Sequence, residues 1–255
     1  MSTNRLFYSL VVIALLVVTA CAPEGQALET PPVSPSATAL SLTEAAAPTA
    51  VASATEPFKV VQDALLPPGT YTSEAFTPPL TYTVPAGWVM FDDEPGQFEL
   101  ALEHHDPYIY VWRDLRALAP DCAEEPQPDV GFSAADISGW LAARDGLDTS
   151  EPQPVSIGGL SGYVMDVRMS PDWTESCPFS DGQATVPTLI GTAPLSSHVF
   201  WGTLIDSSQR YYFLDLGEDG TEGNIVIAVE VCCGAEWDEV METASPVIES
   251  FVFAP

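Results

Sequence analysis

The chain has 255 residues, 36 acidic side chains against 7 basic ones, and a formal net charge of −29 at pH 7. That balance supplies no cationic surface to neutralise phosphates, so it excludes nucleic acid as a partner and gives no attraction to anionic lipid headgroups. It fits a solvated acidic surface, a saline habitat or cationic partners.

Arg5 is the only basic residue before an apolar run from Leu6 to Ala20. In helical form that run covers about 22 Å, short of the roughly 30 Å hydrocarbon core, so it predicts an export signal over residues 1–20. The run ends in Val18-Thr19-Ala20-Cys21, which resembles a bacterial lipobox. The resemblance implies cleavage before Cys21 and a diacylglyceryl group on its thiol, with a further palmitate-type acyl chain. One chain holds a protein to a membrane only marginally, so anchoring requires more than one. The expectation is a lipoprotein attached through Cys21 to the exported side of a cell membrane. An ordinary signal peptide and an uncleaved anchor helix are the competing readings.

Residues 21–56 follow as a linker. Ala22 to Thr55 is rich in Ala, Pro, Ser and Thr and has no aromatic residue. Such a segment buries too little apolar surface to offset its ordering entropy, and predicts a disordered tether. As a coil it would span about 30 Å, and about 110 Å fully stretched. Aromatic and β-branched residues begin near Pro57, and residues 57–255 have the length of one domain.

Strands are predicted at Gly69–Phe76, Leu80–Val84, Gln97–Leu102 and Tyr108–Arg113, divided by Pro, Gly and Asp turns. Ser133 is a helix N-cap with Asp136 three residues on, Phe132 and Ile137 stand at staple positions, and Gly146 follows the helix end. Pro154 to Met169 reads as two strands around Gly158-Gly159-Leu160-Ser161-Gly162. Ser170 to Thr185 reads as a long loop carrying Trp173 and Cys177. Strands are predicted again at His198–Ile205, Arg210–Leu216 and Asn224–Val231. The last has apolar residues on both faces and so requires cover on both. Trp237, Val240, Met241, Ala244, Val247, Ile248 and Phe251 recur at helical spacing, with Pro246 expected to kink or divide that helix, and Phe251-Val252-Phe253 closes as a strand.

Export permits disulfides. Cys122 and Cys177 both lie in Pro-flanked loop segments and are the expected pair. Cys232 and Cys233 are adjacent in sequence. Neighbouring strand residues point to opposite faces, so two separate thiols are expected, with a vicinal disulfide as the alternative.

Tyr82-Thr83-Val84-Pro85-Ala86-Gly87-Trp88 resembles the strand-Pro-x-Gly-Trp opening of PsbP-like domains, and Val247-Ile248-Glu249-Ser250-Phe251-Val252-Phe253 resembles their closing helix and strand. The Gly158-Gly159-Leu160 turn is similar to one in mid-domain there. The resemblance implies an α+β fold, an antiparallel β-sheet flanked by helices on both faces as a PsbP-like α/β/α sandwich. It also implies a binding or assembly role without catalysis.

Catalytic motifs are sparse. Ser161 fails the Gly-x-Ser-x-Gly spacing of a nucleophile elbow and reads as part of a turn. Glu103-His104-His105-Asp106, with His198 from elsewhere, is the one dense set of metal ligands, though adjacent residues seldom chelate one ion together. Asp215, Glu218, Asp219 and Glu222 resemble a calcium loop in composition, but Gly217 breaks the ligand register. Trp88, Trp140 and Trp237 read as core residues, and Trp173 as the one tryptophan exposed enough to stack on a sugar. No cofactor is expected. The leading expectation is a non-enzymatic binding or assembly module for another envelope protein, and the alternative is a binder of a small ligand, a sugar or calcium. Cys21→Ala should leave unprocessed precursor or release the protein from membranes, read by fractionation and gel mobility. Unchanged processing and retention would exclude the lipobox.

Overall fold

Alternating β-branched and aromatic residues make strands the commonest element among the described residues. The computed structural model describes residues 63–103, 105–191, 200–204, 206–231 and 236–254, all within the unit Thr55–Pro255. The leader, Cys21, the linker, His104, His198, Cys232 and Cys233 lie outside the described residues, as do the side chains of His105, Asp106 and Asp219.

The first seven strands are β1 (Ala64–Leu65), β2 (Gly69–Thr72), β3 (Leu80–Val84), β4 (Trp88–Glu94), β5 (Gln97–Leu102), β6 (His105–Arg113) and β7 (Leu115–Ala117). Helix α1 (Ala134–Ala142) follows, then β8 (Leu147–Thr149), β9 (Gln153–Ile157), β10 (Leu160–Met169), β11 (Thr185–Gly191), β12 (Phe200–Leu204), β13 (Ser208–Leu216) and β14 (Gly223–Val231). Helix α2 (Trp237–Glu249) and β15 (Val252–Phe253) close the chain. Nine strands form one antiparallel sheet in the order β1-β4-β5-β6-β14-β13-β10-β8, with β9 also paired to β10. Two smaller sheets are β12-β11-β7 and β15-β3-β2. The fold is therefore α+β in the broad sense, mostly antiparallel sheet with two α-helices among the described residues.

Side chains alternate along a strand, and β14 uses both sides. Ile225, Ile227, Val229 and Val231 join one apolar cluster with Val240, Ala244, Val247 and Ile248 of α2. Val226 and Ala228 join a second with Ala134, Ile137 and Leu141 of α1. Each fully buried Ile or Val contributes roughly 1.5–3 kcal/mol, so these two clusters dominate stability.

The N-cap of α1 forms as expected, with Ser133 Oγ accepting the Asp136 N–H at 3.2 Å. Asp215 on β13 accepts the Ala134 N–H at 2.7 Å and ties the helix start to the main sheet. Phe132 does more than a staple residue would, because the Arg116 guanidinium stands 5.1 Å from its ring centre. Gly158 and Gly159 turn the β9–β10 hairpin with φ of 60° and 89°, a region open to glycine and costly for other residues.

The structure departs from the sequence expectations at several places. β2 stops at Thr72 rather than Phe76, because the Asp93 carboxylate draws the following residues into a turn. It accepts from Ser73 Oγ at 2.6 Å and from the backbone N–H groups of Glu74, Ala75 and Phe76 at 2.8, 3.3 and 3.0 Å. β4 was hidden by its acidic end, Asp92-Asp93-Glu94, yet it pairs with β1 and β5. β11 was hidden by Pro187, whose missing N–H is accommodated where the register with β12 shifts between Pro187 and Leu189. Helix α2 runs through Pro246 as one element. Pro246 and Glu242 are both exposed, so water can serve the carbonyl that loses its partner. Asp93→Ala removes an acceptor shared by four donors. It should cost about 2–3 kcal/mol in urea unfolding while leaving the two clusters intact.

Candidate aromatic and carboxylate cleft

Strand register assembles the candidate site. Glu99 on β5 lies opposite Tyr110 on β6, Tyr110 opposite Ala228 on β14, and Ala228 opposite Tyr211 on β13. The neighbouring row is Ala101, Tyr108, Glu230 and Gln209. These side chains share the sheet face that carries Val226 and Ala228.

Along β6 the alternation Tyr108, Tyr110, Trp112 becomes a ladder of nearly parallel rings. The ring centres are 6.1 Å apart at 11° for the two tyrosines, and 5.0 Å apart at 4° for Tyr110 and Trp112. Phe91 approaches Tyr108 at 6.4 Å. From β12, Trp201 leans across the ladder, 4.9 Å from Tyr110 and 4.8 Å from Trp112. Trp112 is buried, whereas Phe91, Tyr108, Tyr110 and Trp201 are half-buried.

A buried polar network lies beside the rings. Gln209 Oε1 accepts from Thr203 Oγ1 and from the Tyr211 hydroxyl, each at 2.8 Å. Its amide donates to Glu230 Oε1 at 3.3 Å. Burial pushes the Tyr211 hydroxyl far above the ordinary tyrosine range, with hydrogen bonding from Thr188, Trp201 and Thr203 pulling the other way. Trp201 Nε1 is buried without a well-formed acceptor, although it lies near enough to Tyr211 to influence it. Glu230 carries this network to the surface, where it lines a cleft of about 340 Å³ with Phe179, Asp181, Gln183, Trp201 and Leu204.

The cleft wall is held covalently. Cys122 and Cys177 form a disulfide, as expected from their loop settings. Cys177 immediately precedes the 3-10 turn Pro178–Ser180, so the bridge fixes the segment that presents Phe179 and Asp181. Trp173 belongs to the same loop but departs from expectation. Its Nε1 donates to the Thr185 carbonyl at 3.0 Å, and its ring fills the space that a side chain on Gly146 would require. It clamps the loop.

Like charges converge on Glu99. Burial pushes its carboxyl up to about 7, and Asp92, Asp63 and Glu230 add to the rise. Asp92 is raised as well, first by burial and then by Glu94. Gln97 Nε2 donates to Asp92 Oδ2 at 2.8 Å. Among the described residues the arginines are engaged elsewhere. Arg210 holds Asp166 with two bonds at 2.6 and 2.8 Å, Arg113 meets Asp114, and Arg116, Arg144 and Arg168 stand over Phe132, Trp140 and Trp237.

Other sequence candidates fall into structural roles. Ser161 is in β10 at the edge of the hairpin. Asp215 caps α1, and no group of three or more His, Cys, Asp or Glu side chains is placed to hold a metal among the described residues. The ladder was visible in the sequence as Tyr108-x-Tyr110-x-Trp112 and was read there only as a strand. Glu99 and Glu230 had no sequence signal, because only strand pairing brings them to one face.

Two outcomes test this geometry. Between about pH 4.5 and 7 folded Glu99 keeps a proton that the unfolded chain has released, so its contribution to stability falls as pH rises through that window. Glu99→Gln should therefore match the parent near pH 4.5 and show the higher melting temperature above pH 7. Cys122→Ser opens a 55-residue separation and should cost about 4 kcal/mol in unfolding free energy, with the parent under reducing conditions behaving alike.

No protein-family model matches this sequence, and no curated protein is detectably similar to it. Among solved structures, a 1.50 Å crystal structure from Bacteroides thetaiotaomicron VPI-5482 is similar with a TM-score of 0.31 and 12% sequence identity. The match covers 69% of this chain and 45% of that chain, so this chain spans less than half the length of the protein it matches.

Proposed function

We propose that this chain is an exported lipoprotein, anchored by lipid on Cys21, that binds a small organic ligand on its aromatic and carboxylate face without catalysing a reaction. The observation that carries the reading is the cleft beside Trp201, where half-buried rings and carboxylates meet over a buried polar network. Small-molecule sites are concave, largely apolar and provided with a few placed polar groups, and this cleft has that composition. A protein-docking surface would instead favour a broad apolar patch. The large hydrophobic residues exposed among the described ones are Leu65, Phe132 and Val252, and none of them lines this cleft.

The anchor rests on the lipobox resemblance at Val18-Thr19-Ala20-Cys21. The finer fold reading, a PsbP-like sandwich with helices on both faces of the sheet, is supported by the separation of α1 and α2 residues into different clusters along β14.

The test uses the full-length, membrane-extracted protein with glucose, N-acetylglucosamine, choline and spermidine as probes. A ligand at a hundred times its dissociation constant stabilises by about 2.7 kcal/mol, roughly 5–10 °C in melting temperature for a domain this size. At least one probe should give such a shift, and Trp201→Ala should abolish it while keeping a cooperative melt. A flat panel, with crosslinking to a second envelope protein through this face, would replace the small-ligand reading.

A further inference from the structure

The cleft beside Trp201 mixes apolar and polar side chains in a way that suits one class of ligand. We infer that it takes a neutral carbohydrate, a mono- or disaccharide whose hydroxyls meet Asp181, Gln183 and Glu230 while its C–H groups pack against Phe179, Trp201 and Leu204. This inference rests on the small-ligand reading above and specifies its chemical class. The cleft volume of about 340 Å³ lies at the small end of ligand sites, which run from roughly 300 to 1,000 Å³. A sugar ring is amphipathic in the same sense as this lining, with hydroxyls around its rim and C–H groups on its faces.

The wall that presents these groups is tied by its own hydrogen bonds. Ser180 Oγ accepts from the Cys177 N–H at 3.1 Å and lies 2.8 and 2.9 Å from the Cys177 and Gln183 carbonyls, to which it donates. The Gln183 N–H returns to the Ser180 carbonyl at 2.9 Å, and Thr185 Oγ1 donates to the Gln183 carbonyl at 3.0 Å. Gly202 lets β12 lie close to this segment, because a side chain there would stand 2.5 Å from Thr185 Cγ2. These bonds commit the Ser180 and Thr185 hydroxyls. The side chains of Asp181 and Gln183 are exposed and have no hydrogen-bond partner among the described residues, so they can address a ligand. Glu230 joins them and already accepts from Gln209 at 3.3 Å.

The chemistry of the lining favours a neutral, hydroxyl-rich ligand. Among the described residues the cleft is lined by no Lys, Arg or His, so an anion would meet Asp181 and Glu230 uncompensated in a chain of net charge −29. An organic cation would use the carboxylates but leave the Gln183 amide donors without an acceptor. A hydroxyl both donates and accepts. Neighbouring sugar hydroxyls therefore donate to the carboxylates and accept from the amide in one arrangement.

The experiment is ligand-observed NMR titration of the full-length protein in a detergent without sugar headgroups. The probes are glucose, N-acetylglucosamine and maltose, with glucuronate, glucosamine and choline as their charged counterparts. At least one neutral sugar should bind, and glucuronate should bind at least tenfold more weakly than it. Asp181→Ala removes an exposed side chain and should keep a cooperative melt while weakening that sugar about tenfold. Gln183→Ala should weaken it about fivefold. Sugar binding unchanged in both variants, or glucuronate binding as tight as that of the neutral sugars, would overturn the inference. Choline or glucosamine binding that depends on Trp201, with no response to the neutral sugars, would overturn it and leave the small-ligand reading standing. No response to any of the six, with a cooperative melt retained, would remove both.

Discussion

The constraint on which this structure depends is the double-sided burial of β14. Its odd-numbered residues from Ile225 to Val231 and its even-numbered Val226 and Ala228 enter different clusters. A strand of that kind is stable only when both faces are covered. Residues of α2 join the first cluster and residues of α1 the second. Asp215 enforces this by joining the start of α1 to β13.

The candidate site adjoins the second cluster, against which Tyr110 and Trp201 pack. Where α1 packs, the face is filled by Met165, Val167 and Phe213. Nearer β4 and β5 it carries rings and carboxylates that stay half-buried. Burial there is deep enough to raise the Glu99 carboxyl by desolvation.

Stability and binding meet in the loop that carries Cys177. The disulfide, the Trp173 clamp on Thr185 and the 3-10 turn hold the wall of the cleft while β12 supplies Trp201. Pre-ordering such a wall would lower the entropy cost of binding there. It also explains why a tryptophan in a loop serves the scaffold while one in a strand borders the cleft.

Much of this was legible without a structure. The capping pattern at Ser133 and Asp136, the turn at Gly158-Gly159, the apolar spacing of α2 and the two-sided β14 are local patterns whose physics acts within a few residues. The Cys122–Cys177 pair was legible from loop settings in a chain expected to be exported. What only the tertiary structure decided is which side chains meet across strands. Glu99, Tyr110, Ala228 and Tyr211 are neighbours through register alone. The strand Trp88–Glu94, with its acidic end, becomes a strand because β1 and β5 pair with it. Local sequence determined most of the elements, since propensity and periodicity are short-range. Strand pairing determined the site, since the energy of bringing distant carboxylates and rings together exists only once the sheet has formed.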